Sequence, residues 1–134
     1  MAAPTLYERI GGEDVLHRLA VRFYDRVFAD DLLLPLFRDT GDEHAHRLGL
    51  WLTELLGGPK AHTAERGGFP VMEGAHYGLR ITPAQRARWV ALFREAAADV
   101  GVPADVLRDL DPHLEGGSTF CMRVSYPAPE RGPR

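Results

Sequence analysis

The chain has 134 residues, 45% of them hydrophobic, and a net charge of −3. That length suits a single domain able to bury about two-thirds of its unfolded surface. The composition excludes a disordered chain, and the near-neutral charge excludes the basic face that nucleic acid or an anionic membrane would want.

Cys121 is the single cysteine, so no intramolecular disulfide can form, which suits a reducing compartment. Residues Met1 to Thr5 lack the basic and apolar regions of a signal peptide. No apolar run approaches the roughly 18 residues needed to span a bilayer. A soluble, cytoplasmic protein is expected, with neither a nucleic-acid nor a membrane partner.

In chain order, residues 1–4 read as a loose end. Thr5 is placed to cap a short helix, Leu6 to Ile10, with Glu8 completing a capping box. Gly11-Gly12 stops it, and a longer helix is expected from about Glu13 to Ala29. Its stripe is Val15, Leu16, Leu19, Phe23 and Val27, with Tyr24 beside it. Leu32 to Phe37, broken by Pro35, reads as a turn or a single helical turn. Asp39-Thr40-Gly41-Asp42 supplies a loop and an N-cap. The next helix is expected from about Glu43 to Leu56, with His44, Leu48, Trp51, Leu52 and Leu55 facing inward. Gly57-Gly58-Pro59 ends it.

Residues 59 to 71, with Gly67-Gly68-Phe69-Pro70, read mostly as loop, and Val71 to Tyr77 as a short helix that Gly78 ends. Thr82-Pro83 starts a helix reaching about Val100, with Trp89, Leu92, Phe93 and Ala96 on one side. Gly101-Val102-Pro103 breaks it. A last helical region, about Ala104 to Val124, is expected to be interrupted near Asp111-Pro112, and Gly116-Gly117 weakens its middle. Three prolines from Pro127 onward predict a disordered tail over 127–134, leaving residues 1–126 as the domain. No strand alternation or hairpin turn occurs, so the fold class is all-α.

The candidate chemistry centres on His76. A lone histidine is usually a surface or a satisfied core residue. Its company raises its interest: Arg80, four residues on, is a cation fit to hold a carboxylate such as a propionate. A neutral imidazole is a suitable axial ligand for haem iron, once its other N–H is oriented by a partner. His44 and His46 are turned roughly 200° apart on a helix. His44 shares a face with Leu48, and His46 points to solvent. Arg47 is either a solvated charge or a group reaching over a pocket edge. Tyr24 is either core packing or a donor aimed into a cavity. Trp89 is either core or an N–H donor facing a bound anion-like oxygen. Phe37 reads as core or pocket wall, His62 as a loop residue and Cys121 as a small buried hydrophobe. Phosphate loop, nucleophile elbow, paired-cysteine and His-Glu-x-x-His motifs are absent. No spacing argues for a zinc site built from His44, His46, His62 and His76.

In order and spacing, these pieces resemble a known family. They are Leu6-Tyr7-x-x-Ile10-Gly11-Gly12, Arg22-Phe23-Tyr24, Leu55-x-Gly57-Gly58-Pro59, His76, Arg80-Ile81 and Trp89. Over residues 5 to 125 the chain resembles the truncated haemoglobins, most closely their second, O-type group. The resemblance implies a two-over-two α-helical sandwich around one haem b. It places His76 at the proximal position and Tyr24 and Trp89 at distal hydrogen-bonding positions. His44 and Leu48 fall on the distal face of the third long helix. Arg47 and His62 match positions that contact haem propionates, the second commonly tyrosine. Phe37 stands where many members carry tyrosine or histidine, so the distal donors here are Tyr24, Trp89 and His44. Ala75-His76-Tyr77-Gly78-Leu79 departs from the family's frequent Arg-His-x-Pro-Phe.

The function implied is binding of O2, CO, NO or another diatomic, tightly enough that simple oxygen transport is disfavoured. An enzymatic alternative is nitric oxide dioxygenation or peroxidase-like turnover, which needs a separate reductase. A six-coordinate sensor closed by His44 and a helical module without haem are the other readings. The sequence leaves monomer and homodimer open.

Overall fold

The computed structural model describes residues 3–126, so the expected tail over 127–134 lies outside the described residues. Thr5 closes a reciprocal capping box with Glu8 and starts α1, Leu6–Ile10. Gly11, in the left-handed region at φ 112°, ends α1 and begins α2, Gly12–Phe28. A single 3₁₀ turn, Leu34–Leu36, carries Pro35. Helix α3 spans Glu43–Leu55, and α6, Pro83–Asp99, starts at a capping box between Thr82 and Gln85. Helix α7 spans Ala104–Val124. No strand occurs among the described residues, as the sequence predicts.

Helices α2 and α3 form one packed pair and α6 and α7 the other, with α2 lying against α6. This is the two-over-two sandwich. Its core joins Leu16, Leu19, Phe23 and Val27 of α2 to Val90, Phe93 and Ala97 of α6, and to Val106, Leu110 and Leu114 of α7. The 45% apolar composition supplies this shared interior, and burial of such side chains stabilises it by roughly 1.5–3 kcal/mol each.

Four expectations need correction. Residues 59–71 are not loop: α4, Ala61–Arg66, and α5, Phe69–Gly74, occupy them. Gly67 takes the left-handed φ of 106° that ends α4, and Pro70 sits in the first turn of α5. The glycines and proline are therefore a stop and a start, not a run of loop. The helix expected over Val71–Tyr77 is shifted toward the N-terminus, and residues 75–78 form a turn. The inward row of α3 is turned by one position. Ala45, Leu52, Thr53 and Leu56 are buried, while Leu55 is exposed. The crossing with α2 selects the 45/52/56 row and leaves the 44/48/51 row half-open. Asp42 stands at the N-cap of α3 but makes no side-chain capping bond.

Finally, α7 runs unbroken through Pro112. A proline inside a helix costs about 3 kcal/mol through a lost hydrogen bond and ring crowding. Pro112 is exposed, and buried Leu110 and Leu114 flank it on the core side. Arg94 of α6 pairs with Asp111 at 2.7 Å and with Glu115 at 3.0 Å, gripping α7 on both sides of the proline. Tertiary packing thus overrides the local break.

Candidate haem site

His76 lies in the turn that follows α5. The backbone continues helix-like there, with Ala75 N–H donating to Val71 C=O at 3.0 Å and His76 N–H to Glu73 C=O at 3.1 Å. The imidazole folds back one turn, and its Nδ1 lies 2.7 Å from the Met72 carbonyl. A carbonyl only accepts, so Nδ1 carries the proton and Nε2 keeps its lone pair. The ring is half-buried, and burial pushes its pKa below the ordinary value against the opposing effect of the Met72 bond. It is therefore a neutral imidazole with one nitrogen committed and the other free, the state a metal-binding histidine requires.

A cluster of aromatic rings belongs to α2, the 3₁₀ turn and α3. The Tyr24 ring meets Phe28 at 5.3 Å, Phe37 at 5.8 Å and His44 at 5.7 Å between centroids. Phe37 stands edge-on to Phe28 and to His44 at 5.3 and 5.1 Å. Phe23 joins this group to α6, edge-on to Trp89 at 5.1 Å, and Trp89 stacks on Phe93 at 5.6 Å. Such edge-to-face pairs add about 0.5–1.5 kcal/mol each beyond area burial and fix ring orientation. Burial holds the Tyr24 pKa well above its ordinary value, with Arg47 opposing, and no hydrogen bond contributes. Tyr24 is thus a protonated donor without a protein partner among the described residues. A cleft of about 380 Å³ is lined by Tyr24 together with Val21, Phe28, Thr40 and Ala45.

His44 does not lie free in this group. Its Nε2 is 3.1 Å from the Asp39 carbonyl and 3.2 Å from the Asp39 carboxylate, so Nε2–H donates outward. Arg47 is exposed and pairs with Glu43 at 3.4 Å, an i,i+4 pair. Leu48 is half-buried against the core. His46 is exposed and pairs with Glu65 of α4.

His62 differs from its sequence reading. It is in α4, not a loop, and only 4% exposed. Trp51 covers it edge-on at 5.2 Å, and its Nδ1 is buried without a hydrogen-bond partner among the described residues. Desolvation pushes its pKa down. Arg80 also differs in setting: its φ is +53°, and its guanidinium lies over the Tyr126 ring at 5.9 Å. Cys121, half-buried with its thiol 4.0 Å from the Met72 sulfur, has its pKa pushed up to about 11 by burial. Among the described residues no three His, Cys, Asp or Glu side chains gather to hold a metal ion, so the four histidines considered for zinc share no such site.

Reasoning from sequence missed Met72 and Asp39, the partners of His76 and His44. The first stands at the i−4 spacing that a continuing helical turn would have revealed.

An all-helical two-over-two sandwich carrying one oriented histidine and an aromatic cluster with a hydroxyl donor has the architecture of a globin. The chain belongs to the bacterial-like globin family, whose pattern matches residues 5–111. Among relatives, it is 34% identical over 109 residues to the group 2 truncated hemoglobin YjbI of Bacillus subtilis (strain 168), covering 81% of each chain. The group II truncated hemoglobin of Bacillus anthracis has a similar structure, with a TM-score of 0.84, 28% identity and 98% of both chains covered. The truncated oxygen-avid haemoglobin of Bacillus subtilis aligns with a TM-score of 0.80 at 31% identity, over 88% of this chain and 98% of that one. The family implies a haem, and the residues fit one: an oriented neutral imidazole, a cluster of aromatic side chains and a tyrosine hydroxyl without a protein partner among the described residues.

Proposed function

We propose that His76 Nε2 would hold haem b in this globin, which would bind O2 and other diatomics beside Tyr24 and Trp89. The observation that carries this is the 2.7 Å contact from His76 Nδ1 to the Met72 carbonyl, which fixes the tautomer with Nε2 free. Haem supplies an iron with one coordination position for a diatomic ligand. The protein supplies the rest. His76 orients the group from one side. Phe37 and Leu48 wall the other and keep water away. Tyr24 O–H and Trp89 N–H are donors in a low-dielectric setting, where a hydrogen bond to a partly negative ligand atom is strong. Arg47 and His62 are assigned to the propionate side. The Arg80 guanidinium, which lies over the exposed Tyr126 ring, is assigned there as the cation for a propionate.

The Asp39 bonds to His44 Nε2 support an open ligand position over closure by His44. A similar relative is described as oxygen-avid, and two donors beside the ligand are what retention of O2 needs. The test is the visible spectrum of the purified protein, ferric and dithionite-reduced, with and without CO. A Soret band that shifts with CO, and is lost in His76→Ala unless imidazole is added, is the expected result. A protein that stays colourless after haem is supplied refutes the reading.

A further inference from the structure

Helix α5 and the His76 turn have little packing of their own against the other helices. They hang instead from the last two turns of α7. At the start of α5 the Phe69 ring meets Phe120 at 5.3 Å. In its middle the Met72 sulfur meets the Cys121 thiol at 4.0 Å. Beyond His76 the contacts become polar and specific. Arg80 N–H donates to the Ser125 carbonyl at 3.0 Å, and Ile81 N–H donates to Ser125 Oγ at 2.9 Å. Ser125 Oγ in turn donates to the Met122 carbonyl at 2.6 Å, so this fully buried hydroxyl has both roles filled. Tyr126 Oη donates to the Ile81 carbonyl at 2.9 Å, and its ring lies under the Arg80 guanidinium.

Arg80 is the one non-glycine residue with positive φ among the described residues. That conformation is unfavourable for arginine, and it persists only where the surroundings impose it. The surroundings here are the Ser125 and Tyr126 bonds on each side of it.

We infer that Ser125 and Tyr126 are positioning residues for His76: the end of α7 clamps the Arg80–Ile81 backbone and thereby sets how the imidazole is presented. This deepens the haem reading and rests on His76 being the ligand. The clamp fixes the chain four and five residues after His76, while Met72 fixes the ring itself. Loosening the clamp frees the turn without touching the Tyr24 and Trp89 side.

The test compares wild type, Ser125→Ala and Tyr126→Phe as purified holoproteins. Tyr126 is at the surface, so Tyr126→Phe removes one hydrogen bond without disturbing the core and decides the matter if Ser125→Ala folds poorly. Three readouts are taken: amide hydrogen exchange over residues 75–82, the iron–histidine stretching band of the reduced protein, and the C–O stretch of its CO complex. Exchange at Ile81 is expected to rise about tenfold in Ser125→Ala, which removes its acceptor, and about threefold in Tyr126→Phe. The iron–histidine band is expected to shift or broaden in both, with the C–O stretch unmoved. A role confined to general stability would leave that band alone. An iron–histidine band unchanged in both variants, unchanged exchange in both, or a C–O shift as large as the iron–histidine shift overturns the inference. Persistence of the band in His76→Ala would sink the ligand assignment, and the clamp's role with it, by a result that neither clamp variant gives.

Discussion

An imidazole has two ring nitrogens, and at His76 the Met72 carbonyl at 2.7 Å chooses between them. Asp39 makes the opposite choice at His44, accepting from Nε2–H through its carbonyl and carboxylate. Two histidines of the same chain are thereby assigned different chemistry by neighbours four and five residues earlier. Asp39→Ala removes the carboxylate contact at 3.2 Å but keeps the backbone carbonyl at 3.1 Å, so it should loosen His44. The expected outcome is a six-coordinate, low-spin component in the reduced absorption spectrum that disappears in Asp39→Ala/His44→Ala. A spectrum identical to wild type removes the holding role of the Asp39 carboxylate. At Tyr24 the hydroxyl is protonated and lacks a protein partner among the described residues. Tyr24→Phe should therefore speed O2 dissociation by about tenfold, the equivalent of one neutral hydrogen bond at about 1–1.5 kcal/mol. Trp89→Phe should act in the same direction. Stopped-flow displacement of O2 by CO measures both, and unchanged rates in both variants would remove the distal assignment.

At the scale of elements, local sequence rules place the helices whose ends carry their own chemistry. The Thr5–Glu8 and Thr82–Gln85 capping boxes start α1 and α6 where the residues predict. Removing one, in Thr82→Ala, should lower stability by about 1 kcal/mol in urea unfolding. Contacts between elements follow no such rule. A Cβ on Gly58 would come within 2.7 Å of the Tyr7 ring and 2.8 Å of the Thr53 carbonyl. The ring can swing away; the backbone oxygen cannot. Gly58→Ala should therefore destabilise by about 1–3 kcal/mol, through overpacking where α1 meets the end of α3. An unfolding midpoint equal to wild type would show that the junction yields. Helices α4 and α5 were illegible for a related reason. Each is only 6 residues long, too short to show a repeating stripe, and their glycines and proline resemble loop.

For the whole molecule, the interior keeps His62 neutral. Burial lowers its pKa, so the folded chain resists a proton that the unfolded chain accepts below about pH 6.5. The sign follows: stability is unaffected above that pH and falls as pH drops toward the folded-state pKa. The fall is at most about 1.4 kcal/mol per pH unit for one histidine. His62→Phe should flatten the acid side of the stability profile, measured as urea midpoints at pH 7.5 and 5.5. Equal losses in wild type and variant would place the acid sensitivity elsewhere. Two ion clusters bind the sandwich from outside. One is Asp99 with Arg22 and Arg26, whose hydrogen bonds bring the Asp99 pKa down to about 2; the other is Arg94 with Asp111 and Glu115. They join α2 to α6 and α6 to α7, so they reinforce the pairs that the core already packs.

The sequence by itself determined the all-α class, the long helices α2, α3 and α6 to within about one residue, and the family to which His76, Tyr24 and Trp89 pointed. It could do so because caps, apolar periodicity and motif spacing act over a few residues, and each leaves a mark in the letters. Only the tertiary structure decided which nitrogen of His76 is free and that His44 is tied to Asp39. It also decided that His62 is buried under Trp51, that α7 continues through Pro112, and that Ser125 holds the backbone of Arg80 and Ile81. The outcomes at His76 and His44 are set by the local turns that bring Met72 and Asp39 to them, and the others depend on which surfaces meet across the sandwich. A partner 44 or 45 residues away leaves no periodic trace in the sequence.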